Sequence, residues 1–179
     1  MKKAFTMLEL VFVIVVIGIL AAAIIPSTRT NPAQEAAIQL LSDIRYTQHL
    51  AMIDDKYGQN TPGNVDWFQK RWQIVFAGDT YSIESNGIPA ADPSNGNPLQ
   101  PDLNAKYGVT ISLIDGCNTE TIISFDHLGR PMLGTLNTGA AYTNGQLLTV
   151  NNCNIQLQNG TEIATINIAR ETGYASIAF

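Results

Sequence analysis

One carboxylate, Glu9, stands in a run from residue 5 to residue 25 that holds no other charged residue. As a helix, those 21 residues would extend about 31 Å, close to the hydrocarbon thickness of a bilayer. A carboxylate in such a span is costly unless a cation pairs with it, which makes Glu9 a functional candidate. The other groups able to do chemistry are sparse. His127 follows Asp126, and a His–Asp pair can orient a general base. No Gly-x-Ser-x-Gly elbow accompanies it, so a turn aspartate beside an exposed histidine is the expected arrangement. His49 is far from His127 in sequence, so the two make no metal motif. Asp92, Asn95, Asn97 and Asp102 offer oxygen ligands of the kind calcium takes. Their spacing matches no EF-hand, so a plain loop is the first reading and calcium the lesser option; no other cofactor is expected. No P-loop or dinucleotide fingerprint is present, and no enzymatic activity is expected.

Composition narrows the classes. Charged residues are 14% of the chain and the net charge is −5. Without Lys2 and Lys3, eight basic residues face fifteen acidic ones, a net charge of −7. Such a chain has no electrostatic reason to sit on phosphate backbones. Cys117 and Cys153 lack CxxC spacing. In an exported domain they would form a disulfide; in a reducing compartment they would be two buried thiols.

The elements that must carry these residues follow from the patterning. Lys2 and Lys3 precede the apolar run and mark its cytoplasmic end. Pro26 ends the run by removing a helical hydrogen bond. Asn31, Pro32 and Gln34 then read as a cap, a first helical position and a capping-box partner. Residues 32–54 form an amphipathic helix with Ala33, Ala37, Leu40, Leu41, Ile44 and Ala51 on its apolar side. His49 falls on its flank. Residues 55–70 read as a loop. Trp67, Phe68 and Trp72 are expected in the core where helix meets sheet, with an exposed recognition patch as the rival reading. Residues 71–76 and 81–84 form a hairpin, and residues 86–106, with four prolines, a long surface loop. From residue 107 short strands are expected at 109–114, 121–125, 132–136, 147–150, 154–157, 164–169 and 174–179. The fold class is α+β: a long N-terminal helix packed on an antiparallel two-sheet β-domain over residues 71–179.

Residues 4–10, Ala-Phe-Thr-Met-Leu-Glu-Leu, followed by an apolar helix, resemble the N-terminus of type IV prepilins. The resemblance implies a leader over residues 1–4, cleavage between Ala4 and Phe5, N-methylation of Phe5, and a glutamate at the fifth mature position, here Glu9. The family usually has glycine where this chain has Ala4. The implied organisation is a membrane-spanning and filament-core helix over residues 5–31 and a globular pilin domain over 32–179. Phe125, Gly129, Arg130 and Pro131, residues 166–168, the stretch Thr172-Gly173-Tyr174-Ala175, and residues 41–45 with Ala51 are similar to the GspH/FimT family of minor pseudopilins and pilins. From this follow the implied partners: other pilins or pseudopilins through the N-terminal helix, a prepilin peptidase and methyltransferase, an assembly platform and a separate ATPase. The implied location is the bacterial inner membrane, single-pass with the C-terminal domain periplasmic, and then a filament. A type II secretion pseudopilus is the first reading and a type IV pilus, in biogenesis or DNA uptake, the alternative. The DNA-binding branch of that family uses basic residues near the C-terminus, where this chain offers Arg170 beside Glu171. A membrane-tethered enzyme is a third class, for which no cluster of titratable groups speaks.

Overall fold

The computed structural model describes residues 6–24, 31–54, 56, 67–136 and 146–178. The chain divides into two compact units, Met1–Asn31 and Pro32–Phe179. In the first, helix α1 runs from Met7 to Ile24. In the second, helix α2 (Pro32–Ile53) is followed by a 3-10 turn at Trp67–Gln69. Strands β1 (Gln73–Ala77), β2 (Thr80–Ser85) and β3 (Ile88–Pro89) precede the short helix α3 (Leu103–Tyr107). Strands β4 (Thr110–Asp115), β5 (Ile122–Phe125), β6 (Pro131–Leu133), β7 (Cys153–Asn159), β8 (Glu162–Ile168) and β9 (Ala175–Ala178) complete the order.

The α+β class with two antiparallel sheets holds, but the single long N-terminal helix does not. α1 has 18 residues and α2 has 22, and they are separate elements. Pro32 opens α2: its ring clashes with the carbonyl of any preceding helical turn, so a helix starts there more readily than it continues. Among the described residues no helix is long and apolar enough to cross a membrane. At 1.5 Å per residue α1 rises about 27 Å, short of the roughly 30 Å hydrocarbon layer.

The strands form a five-stranded sheet in the order β3-β2-β1-β5-β6 and a four-stranded sheet in the order β4-β7-β8-β9. α2 packs chiefly on β7, β8 and β9 and also meets β1, β5 and α3. Its buried face repeats at helical spacing through Ala33, Ala36, Ala37, Leu40, Ile44 and Ala51. Alanine at four of those six positions leaves short side chains between helix and sheet, so the backbones can approach closely. Trp67 and Phe68 are buried and Trp72 packs against the core, its indole N–H donating to Asp54 Oδ2 at 3.0 Å. The core reading of these aromatics therefore replaces the recognition patch.

Three expectations need correction. The stretch 86–106 is not all loop. Asn86 and Gly87 have φ of +53° and +73°, the left-handed pair that closes a two-residue hairpin turn into β3. Asp102 caps α3 by accepting from the Ala105 N–H at 2.8 Å, and Gly108, at φ +66°, ends it. Residues 147–150 make no strand; Leu147 forms a single bridge to Met132. β6 stops at Leu133 because Gly134 turns the chain at φ +80°.

Asp79, in the β1–β2 turn, joins the two sheets. Its Oδ1 accepts from the Ile111 N–H of β4 at 2.9 Å, and its carbonyl accepts from Leu103 N–H of α3 at 3.1 Å. Cys117 and Cys153 form a disulfide with a Cα–Cα separation of 5.0 Å. It links the turn after β4 to the first residue of β7, where Asp115 already pairs with Cys153. Closing a 36-residue loop reduces the entropy of the unfolded chain. Replacing both cysteines with alanine is expected to cost on the order of 3–4 kcal/mol, measured as a shift of the denaturant midpoint against the oxidised parent.

Candidate functional site

Two places gather the sequence-singled residues. The first is α1. Thr6 receives its start: the Glu9 N–H donates to the Thr6 carbonyl at 3.1 Å and to Thr6 Oγ1 at 3.3 Å. Glu9 therefore lies in the first turn, where a carboxylate faces the positive end of the helix dipole. Its side chain is exposed, as are the large apolar side chains around it; Met7 is 86% and Leu8 83% exposed. Phe12, Ile14, Ile17 and Ile19 are all more than half exposed. Within its own unit, α1 leaves this surface uncovered. Ala4, Phe5 and Pro26 lie outside the described residues.

The second place brings together two segments far apart in sequence. Phe125, Gly129, Arg130 and Pro131 form a turn leading into β6, and Gly173 lies just before β9. Gln48 of α2 holds both, donating from Nε2 to the Gly129 carbonyl at 2.8 Å and to the Thr172 carbonyl at 3.2 Å. Gly129 and Gly173 have φ of +78° and +69°, which glycine adopts without strain. Space demands glycine as well. A Cβ on Gly173 would run into the Gly129 carbonyl, would come within 2.7 Å of Gln48 Nε2, and would meet the Phe125 ring at 3.3 Å. A Cβ on Gly129 would come within 3.1 Å of Gln48 Nε2 and 3.2 Å of Met52 Sδ. Arg45 adds a third tie, donating from Nη2 to the Ala175 carbonyl at 2.8 Å.

Arg130 braces its turn. Its Nε donates to Asp126 Oδ2 at 2.7 Å, while Asp126 Oδ1 accepts from the N–H groups of Leu128 and Arg130 at 3.0 and 2.8 Å. Asp126 is fully buried, so these donors replace its lost water. His127 is half-buried against Trp67, edge to face at 5.7 Å, not exposed as expected. His49 is exposed on α2. Asp92 serves its own turn, accepting from Ser94 N–H and Oγ at 2.8 and 2.7 Å and from Asn95 Nδ2 at 3.0 Å. These bonds hold its carboxyl below the usual range. No cluster of three or more His, Cys, Asp or Glu able to hold a metal occurs among the described residues.

No family model matches this chain, and neither does a curated protein or a solved structure. The geometry therefore carries the reading alone. Both places are built for contact and fixation. α1 offers an apolar surface with one acid, and the Gln48 node locks the sheet ends onto α2.

Sequence reasoning missed Gln48 and Asp43. Asp43 accepts from the Tyr81 hydroxyl at 2.5 Å. Burial raises its pKa, with the Tyr81 bond opposing that shift. Burial beside the Asp43 charge also drives the Tyr81 phenol far above its ordinary value. The donor Gln48 and the acceptor Asp43 both sit at half-buried positions of an amphipathic helix, where sequence gives polar residues no assignment.

Two outcomes follow. Gly173→Ala should destabilise the globular unit by about 2–4 kcal/mol, combining left-handed strain with the clash, and chemical denaturation measures it. Asp43 is protonated more readily folded than unfolded, so its favourable contribution exists at acid pH and is lost as pH rises through the folded pKa. Asn at this position keeps an acceptor for Tyr81. The melting temperature of Asp43→Asn relative to the parent should therefore climb from about pH 3.5, below the free carboxyl pKa, to neutrality; a flat or falling difference contradicts the assignment.

Proposed function

We propose that this chain is a minor pseudopilin, a filament subunit of a type II secretion system, and not an enzyme. The observation that carries this reading is the uncovered apolar surface of α1 with Glu9 in its first turn. An exposed apolar face of that extent needs lipid or other helices around it. Before assembly the apolar sequence of residues 5–25 lies in the inner membrane, with the unit that begins at Pro32 on the periplasmic side. There the Cys117–Cys153 disulfide suits an oxidising compartment.

Cleavage between Ala4 and Phe5 frees an α-amino group, which is N-methylated and positively charged at neutral pH. Glu9 of one subunit neutralises that amine on its neighbour. Unpaired, the carboxylate is expensive in hydrocarbon; paired, it fixes the axial register. The helices then bundle in the filament core and the globular units face outward, with a separate ATPase supplying energy. Nucleic acid is a poor partner. The chain is acidic, and the guanidinium of Arg170 donates to the Val150 carbonyl at 2.8 Å and the Thr149 carbonyl at 3.4 Å.

Glu9→Val and Glu9→Gln in the full chain, expressed with the partner pilins, should abolish or sharply reduce recovery in sheared filaments while the membrane-bound precursor remains. Recovery of both variants at parental levels would sink the proposal.

A further inference from the structure

The outward face of the four-stranded sheet has chemistry that filament assembly does not use. Ile155, Leu157, Ala164, Ile166 and Ile168 turn into the core, so the alternate positions face away from it. Two register rows cross all four strands: Ser112, Gln156, Thr165, Ala178, and Ile114, Asn154, Asn167, Ser176. Neither row holds a formally charged residue, in a chain of net charge −5. Tyr174 donates no strand hydrogen bond but its carbonyl accepts from Ala169 N–H at 2.9 Å, extending the β8–β9 pairing by one step. It alternates with buried Ala175, so it shares the outward face, and it is 64% exposed.

The amides on this face are fixed in orientation. The Arg170 N–H donates to Asn152 Oδ1 at 3.1 Å, and Asn152 Nδ2 donates to Asn167 Oδ1 at 3.3 Å. Asn167 Nδ2 donates to Asn154 Oδ1 at 2.6 Å, and Asn154 Nδ2 donates to Asp115 Oδ2 at 2.5 Å. A backbone donor stands at one end and a carboxylate, which only accepts, at the other, so each amide has one possible orientation. The aligned bonds polarise one another. Each Asn amide uses one hydrogen and one lone pair in this chain and keeps a second of each. The result is a pre-ordered array of donors and acceptors, uncharged in its two rows and ended by the exposed Asp115 carboxylate, with an exposed phenol at its margin.

We infer that this face binds a neutral, extended polysaccharide. Phosphate, acidic polymers and lipid headgroups find no cations in the two rows. A sugar chain matches the array in three ways. Its hydroxyls need paired donors and acceptors, its apolar ring faces stack on an exposed aromatic, and its repeat fits the sheet. Adjacent strands lie about 4.8 Å apart, close to the length of one β-1,4-linked hexose, so a chain laid across the strands presents about one sugar per strand. Amides already held in place lose little freedom on binding, which lowers the entropic cost.

The test uses the full chain in detergent micelles, titrated with cellohexaose, chitohexaose and, as a charged control, a galacturonate hexamer, by calorimetry. Expected is saturable binding of a neutral hexaose, insensitive to salt, with the charged hexamer weaker. Tyr174→Ala removes only an exposed ring, and Gln156→Arg stands a long side chain on the array. Each should weaken binding about tenfold or more, at unchanged melting temperature. The inference is overturned if neither neutral hexaose binds at concentrations on the order of 10 mM, or if both variants bind like the parent. Self-association of the full chain that the same two variants abolish would assign the face to a second copy and overturn it as well. None of these outcomes depends on Glu9 or on filament assembly.

Discussion

The close seating of α2 on the four-stranded sheet is the constraint on which the rest of the globular unit depends. Four alanines on its buried face, beside Leu40 and Ile44, keep most of the side chains between helix and sheet short. Polar side chains on its flanks then reach past the interface to fixed acceptors: Gln48 to the Gly129 and Thr172 carbonyls, and Arg45 to the Ala175 carbonyl. Those carbonyls belong to segments that enter β6 in one sheet and β9 in the other. The helix thus sets the separation of the two sheet ends, and glycine at 129 and 173 is what that separation permits.

The same economy appears in the charged groups. Asp79 and Asp126 are each spent on backbone N–H groups, one joining β4 to the β1–β2 turn and the other closing the turn before β6. Asp43 is spent on Tyr81. In a chain with so few charges, carboxylates serve as internal fasteners, while amides and hydroxyls form the solvent-facing side of the four-stranded sheet. Glu9 differs from these fasteners. It projects from an apolar helix with no fastening duty in its own unit, and that contrast gives the assembly reading its force.

Much of this was legible in the residues. Short β-prone runs between turn signals marked β7 and β8, and the 3.6-residue spacing of Ala33, Leu40, Ile44 and Ala51 marked the buried face of α2. The Asn31-Pro32 start of that helix was also readable, and with it a break from α1. The short elements β3 and α3 were hidden because prolines and asparagines dominate residues 86–106. Their local signals, Asn86-Gly87 for the turn and Asp102 with Gly108 for the two caps, were nonetheless present. The Gln48 node was not legible. Three segments separated by more than forty residues meet there, and nothing local in a half-buried glutamine states which carbonyls it will find. The half-burial of His127 is likewise a tertiary fact, set by Trp67.

The disulfide has a mechanical consequence. The chain leaves the four-stranded sheet after β4, contributes β5 and β6 to the other sheet, and returns as β7. Cys117–Cys153 joins the point of departure to the point of return across 5.0 Å. Tension drawn along the chain passes through that covalent bridge and bypasses the 36-residue excursion. Unbridged, the excursion could pay out about 120 Å of extended chain under load. Bridged, β5 and β6 behave as a side loop that carries no pull, and a subunit tugged by its helix lengthens far less before it yields.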